Sequence, residues 1–239
     1  IAVCAAEETE YFDWKGCKLS SSKNYTGAII YFDKALKQDP TYVNAWVHKG
    51  DTLKAMKDYN GSLELYRHAV QLNNTTKDAW SGMIDIYRTL NDYPDEAKAA
   101  AEVTKLDPKN KANWLREGSI LQTMGLFKDS LTKYDGALNL DPQYKDALYQ
   151  KGSSLIATGN DTGAVSLFDQ VIAIDPKYKY AYNAKGLALE AEGKYAEAQS
   201  AYNMSQKIDP GWGQTSVNKM NDLMISGNSK EAIDIFMVN

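Results

Sequence analysis

Apolar positions recur along this chain at helical spacing, and the helical stripes themselves recur every 34 residues. With Thr9 as the first place of a 34-residue unit, the fourth place holds Phe12, Trp46, Trp80, Trp114, Leu148, Tyr182 and Ser216. The eighth holds Gly16, Gly50, Ile84, Gly118, Gly152, Gly186 and Met220. The twentieth holds Ala28, Ser62, Glu96, Ser130, Ala164, Ala198 and Ala232, and the twenty-fourth Phe32, Tyr66, Ala100, Tyr134, Phe168, Tyr202 and Phe236. Places 4, 8 and 11 are i, i+4 and i+7 on one helix, and places 20, 24 and 27 repeat that stripe on a second. Large residues at places 4 and 24 fill space, while small ones at 8 and 20 let the backbones approach.

Asp-Pro at residues 39–40, 107–108, 141–142, 175–176 and 209–210 stops the second helix of each unit, with the Asp held out of the α region. Gly125, Gly159, Gly193 and Gly227 fall where the first helix ends in a left-handed residue. One stop is altered: Asn73-Asn74 replaces Asp-Pro. The third unit departs further. Glu96 takes a small-residue place and Ala97 lies one position late beside Pro94, which predicts a locally shifted second helix. No helix pair has a core of its own, so each must bury its stripe on its neighbours, which is the logic of a solenoid.

These columns resemble the tetratricopeptide repeat, a 34-residue helix-turn-helix unit. The resemblance implies an all-α, right-handed α-solenoid of about seven repeats over residues 9–239, starting near 9, 43, 77, 111, 145, 179 and 213. Residues 1–8 are expected to be a helical segment that completes or docks on a neighbouring repeat. The family implies a non-enzymatic protein–protein interaction scaffold with a concave groove lined by the first helix of each pair, at places 2, 5, 9 and 12. In this chain the groove candidates are Asp13, Asp51, Lys54, Asp85, Arg88, Ser119, Gln122, Tyr149, Ser153 and Asn183. The family's clamp for chaperone tails is missing: Arg116 fills its last role, but Gly82 and Asp51 stand where other clamp residues belong.

The net charge of -4 offers no gain from neutralising phosphates, so no nucleic-acid partner is expected. No run of 18 apolar residues occurs, so no membrane span is expected. Cys4 and Cys17, on one helix, lie about 20 Å apart and cannot pair with each other. His48 and His68 fall on different helices with no carboxylate or Cys cluster nearby, so no metal site is expected. Ser20 to Lys23 matches Ser-x-x-Lys but lacks the companion motifs of that chemistry. No catalytic residue and no cofactor is expected.

The altered stop creates overlapping Asn-x-Ser/Thr acceptors at Asn73 and Asn74. Others lie at Asn24, Asn60, Asn160 and Asn203, six where composition alone gives about two. Five sit at turns, where a bulky glycan leaves packing intact, although Asn also favours turns for its own hydrogen bonds. Covalent glycans and an extracellular or cell-surface location are therefore expected, with a cytoplasmic one as the alternative. The phase of the repeat at Ile1, Val3 and Cys4 continues that of Ile233, Phe236, Met237 and Val238. A head-to-tail, heterologous contact between copies would then grow a filament or sheath. The competing reading is an adaptor that takes a peptide in its groove.

Overall fold

The computed structural model describes residues 2–211 together with 218, 219, 221–223, 225 and 227, with side chains from Ala6 onward. Twelve α-helices are delimited, residues 218, 219, 221–223 and 225 are helical as well, and no strand occurs among the described residues. The twelve are α1 (Ala2–Ser21), α2 (Tyr25–Gln38), α3 (Val43–Ala55), α4 (Tyr59–Leu72), α5 (Lys77–Leu90), α6 (Tyr93–Leu106), α7 (Lys111–Thr123), α8 (Phe127–Leu140), α9 (Lys145–Ala157), α10 (Asp161–Ile174), α11 (Lys179–Ala191) and α12 (Tyr195–Ile208). The chain divides into two compact units, Ile1–Pro108 with three helix pairs and Lys109–Asn239 with three more. Most of the seventh predicted repeat lies outside the described residues.

Each pair packs on itself and then on the next pair of its unit. Within each unit the first helices of successive pairs touch, α1 on α3 on α5 and α7 on α9 on α11. Within each unit the backbones of the second helices of successive pairs do not approach one another in this way. The first helices therefore form the inner layer of each unit and the second helices the outer one.

Local chemistry places the boundaries. The side chains of Asn24, Asp58, Asp92 and Asn160 accept the N–H of the third residue on, so each caps a second helix. Between helices the chain turns through a left-handed residue, Gly125 (φ +75°) and its equivalents, but the first three repeats place Lys23, Lys57 and Asn91 there. At the far end Asp39, Asp141, Asp175 and Asp209 each accept the N–H two residues on. Asn73 does the same for Thr75 at 3.0 Å. The indole N–H of Trp46 donates to the Pro40 carbonyl (2.9 Å), and that of Trp80 to the Asn74 carbonyl (3.0 Å). Asn-Asn thus keeps both structural roles of Asp-Pro.

A second change accompanies it. Lys77, Lys111, Lys145 and Lys179, each at the start of a repeat, pair with Asp107, Asp141, Asp175 and Asp209 at its end. The second repeat has Val43 and Asn73 at these places, so the lysine and the carboxylate are lost together and neither charge is left unpaired.

The core is built on one steric complement. The aromatic ring at place 24 lies on the glycine at place 8: a Cβ on Gly50 would meet Tyr66 at 2.8 Å, and one on Gly118 would meet Tyr134 at 2.6 Å. In the third repeat both partners change, to Ile84 and Ala100, and both are buried. Volume moves from one helix to the other and the gap stays filled.

The predicted shift of the third repeat's second helix does not occur. α4, α6 and α8 start at residues 59, 93 and 127, a constant step of 34, and Glu96 occupies the buried place in register. Its carboxylate is held by Arg88, whose Nε donates to Oε1 at 2.8 Å while Nη2 lies 2.7 Å from the same oxygen. A buried charge with a partner costs less than breaking the repeat. Residues 2–8 are helical, as expected. They extend α1 without a break, because Ala5-Ala6-Glu7-Glu8 contains no residue that stops a helix.

Candidate functional site

The inner layer of the first unit presents the first helices α1, α3 and α5. Asp51 and Asp85 stand at the same place of successive repeats and both are exposed. Lys54 lies between them, 3.2 Å from Asp85 Oδ2 and 3.7 Å from Asp51 Oδ1. Asp51 Oδ1 also accepts the Tyr66 hydroxyl at 2.6 Å. Arg88, on the same helix as Asp85, is committed to Glu96 but half of its side chain faces solvent. The net character of this surface is acidic, with one bridging cation.

In the second unit the inner layer is mostly neutral, with Glu190 as an acidic exception that accepts the Tyr202 hydroxyl. Ser119 and Ser153 donate to the carbonyls of Leu115 and Tyr149 on their own helices. The Gln122 amide oxygen accepts the Tyr134 hydroxyl at 2.5 Å. Tyr149 packs its ring on Phe168 (centroids 5.8 Å apart) and edge-on to Tyr178 (5.4 Å).

Two groove candidates are buried rather than exposed. Asp13 accepts from His48 Nδ1 at 2.9 and 3.1 Å, and Asn183 accepts from Asn218 Nδ2 at 3.0 Å. Both pairs join place 5 of one repeat to place 6 of the next, so these residues link repeats. Their polar side chains are spent before a ligand arrives.

The reading of His48 as remote from carboxylate and cysteine is overturned. Asp13 and Cys17 stand one turn apart on α1 and converge on His48 of α3, with one ligand atom from each within 4.8 Å of the others. The hydrogen bond to Asp13, then that to Cys17, raises the His48 pKa to about 10 against the opposing effect of burial. Sequence spacing hid this cluster, because the 35 residues from Asp13 to His48 are closed by helix stacking. The signal was available only as a repeat register, place 5 against place 6. His68 is different: its ring packs on Trp46 with centroids 4.1 Å apart.

Outside the inner layer, a cleft of about 550 Å³ opens between α4, α5 and α6, lined by Arg67, Trp80, Tyr87 and Lys98 among others. Arg67 Nη2 donates to the Tyr87 hydroxyl across it at 3.2 Å.

All six acceptor asparagines are exposed. Asn24 and Asn160 are helix caps and Asn73 closes a turn, each through its amide oxygen. Asn60 and Asn203 lie on α4 and α12. Of the proposed end-contact residues, Ile1, Ile233, Phe236, Met237 and Val238 lie outside the described residues, and Val3 and Cys4 belong to the backbone of α1. No helix among the described residues is long and apolar enough to cross a membrane.

Sequence profiles of the tetratricopeptide repeat match residues 43–76, 115–179 and 167–200, together about half of the chain, and the first of these spans the second repeat from its start. No curated protein sequence matches significantly. Among solved structures, the chain is similar to YrrB, described as a TPR protein with an unusual peptide-binding site. That likeness has 19% identity and a TM-score of 0.67, covering 77% of this chain and 95% of that one. It is also similar to MamA, with 25% identity and a TM-score of 0.62 over 69% of this chain and 90% of that one. A tetratricopeptide repeat protein from Parabacteroides merdae ATCC 43184 matches over 97% of this chain and 91% of its own, at 12% identity and a TM-score of 0.64. At such identities YrrB and the Parabacteroides protein speak to the fold alone. Repeat register, helix pairing and profile matches agree: the chain belongs to the tetratricopeptide repeat family.

Proposed function

We propose that this protein is a non-enzymatic interaction scaffold that holds an extended protein segment along the inner face of its first three repeats. The observation that carries this reading is the row of exposed carboxylates, Asp51 and Asp85, at one place of successive repeats. Such a row suits a segment bearing basic side chains, because charge complementarity steers encounter and fixes register. YrrB, whose description names a peptide-binding site, has the same fold and supports the reading by analogy. Selection of the purified chain against a random peptide library tests it. Basic peptides should be enriched, and Asp51→Lys with Asp85→Lys should abolish their binding. A library that yields no binders, or binders indifferent to both reversals, would sink the proposal.

A second reading is an extracellular, glycan-bearing subunit that assembles head-to-tail with copies of itself. Two observations favour it. All six acceptor asparagines face solvent. Tyr11 and Trp14 of α1 are 51% and 53% exposed, although place 3, where Tyr11 stands, is a buried alanine in Ala45, Ala79, Ala147 and Ala181. The intact mass of protein from its native source tests the sugars, and a mass equal to the bare polypeptide removes them. Electron microscopy at high concentration tests assembly, which strictly monomeric particles would exclude.

A further inference from the structure

The inner layer holds one cluster that neither peptide binding nor repeat stacking requires. Asp13 and Cys17, at i and i+4 on α1, point at His48 on α3, and three ligand atoms of three kinds lie within 4.8 Å of one another. The Asp13 side chain is only 8% exposed, and both of its oxygens are turned to His48 Nδ1. The equivalent link between later repeats shows what stacking alone needs. There Asn183 and Asn218 make a neutral hydrogen bond, and the place of Cys17 is taken by the exposed Leu187. The link between repeats is complete without a thiol and without charge.

We propose that Asp13, Cys17 and His48 form a binding site for a thiophilic divalent metal ion, of which zinc is the representative. Oxygen, sulfur and nitrogen donors of these types are the ones zinc takes. Ligand atoms held about 2.0–2.3 Å from a tetrahedral ion stand roughly 3.3–3.8 Å apart, so the cluster closes on an ion through small side-chain rotations. Binding displaces the proton of the thiol and the one shared by the imidazole and carboxylate. Three protein ligands leave a fourth position, and His48, 38% exposed, turns that side of the cluster to solvent. The ion joins α1 to α3 and so ties the first repeat to the second, on the layer where a ligand would lie.

Cobalt titration of the chelator-treated full chain tests this. One equivalent of Co²⁺ should produce a thiolate-to-cobalt charge-transfer band with intense visible bands of tetrahedral geometry, and Zn²⁺ should abolish both. Cys17→Ser should remove the charge-transfer band and Cys4→Ser should keep it. Asp13→Asn and His48→Gln should each weaken binding by about tenfold or more. No such band in the unmodified chain, or a band that survives Cys17→Ser, overturns the proposal. A second measurement leaves all three ligands unchanged. In the Cys4→Ser chain, zinc should protect the remaining thiol from iodoacetamide, and equal alkylation with and without zinc refutes the site.

Discussion

Phe168 lies on Gly152 so closely that a Cβ on the glycine would stand 2.7 Å from the ring's Cε1. The ring is fully buried and belongs to the core that joins α9, α10 and α11. It cannot retreat without opening that core. Gly152→Ala should therefore destabilise the second unit by about 1–3 kcal/mol, the usual cost of overpacking. A urea midpoint unchanged from that of the unmodified chain would show that the ring yields.

The third repeat offers the reciprocal test. Ile84→Gly removes a buried side chain and should cost about 3–5 kcal/mol. Adding Ala100→Phe to that variant restores the arrangement of the other repeats and should recover most of the loss, whereas Ala100→Phe alone should destabilise. A double-mutant cycle by chemical denaturation reads the coupling, and simple additivity would contradict it.

Arg88 and Glu96 make a sharper prediction about sign. Arg88→Ala leaves a carboxylate buried without its cation and should cost about 2–3 kcal/mol, since the half-exposed arginine lets some water in. Glu96→Ala should cost little, because Ser62, Ser130, Ala164 and Ala198 occupy that place elsewhere. In the Glu96→Ala chain, Arg88→Ala should then be nearly neutral. Thermal melts of the three variants decide it.

Lys57 occupies a left-handed conformation (φ +65°) where the repeats from the fourth onward have glycine, and its side chain is exposed. Lys57→Gly should stabilise the first unit by about 1 kcal/mol, relieving the steric cost of a Cβ at positive φ. A lower melting temperature for this variant would show that the lysine contributes more than its backbone costs.

Alkaline stability follows from the buried tyrosines. Burial pushes the Tyr134 hydroxyl up from 10.0 to about 12. Burial, and then hydrogen bonding to Asp51 and Glu190, raises Tyr66 and Tyr202 further. A folded-state pKa above the unfolded one means the contribution is fully present below about pH 10 and is lost as pH rises through the folded value. Helicity by circular dichroism and tyrosinate absorbance should change together above that point. Tyrosinate appearing at pH 10 with helicity intact, in the share belonging to these three rings, would contradict the burial.

The residue pattern alone determined the repeat length, the two stripes per unit, the turn positions and the family, because those depend on interactions within about one helix turn or one repeat. The columns even held the exchange of glycine and ring for Ile84 and Ala100, though only contact geometry shows it as one volume redistributed. Other matters waited for the tertiary structure. Whether Glu96 shifts its helix depended on Arg88 reaching it from the neighbouring helix. Asp13 and Asn183 look like groove residues on a helical wheel, yet the next repeat covers them, since stacking brings residues 35 apart within hydrogen-bond distance. His48 meets Asp13 and Cys17 for the same reason. Local spacing sets which side chains share a helix face, but only the angle at which one repeat rests on the next decides which of those faces meet.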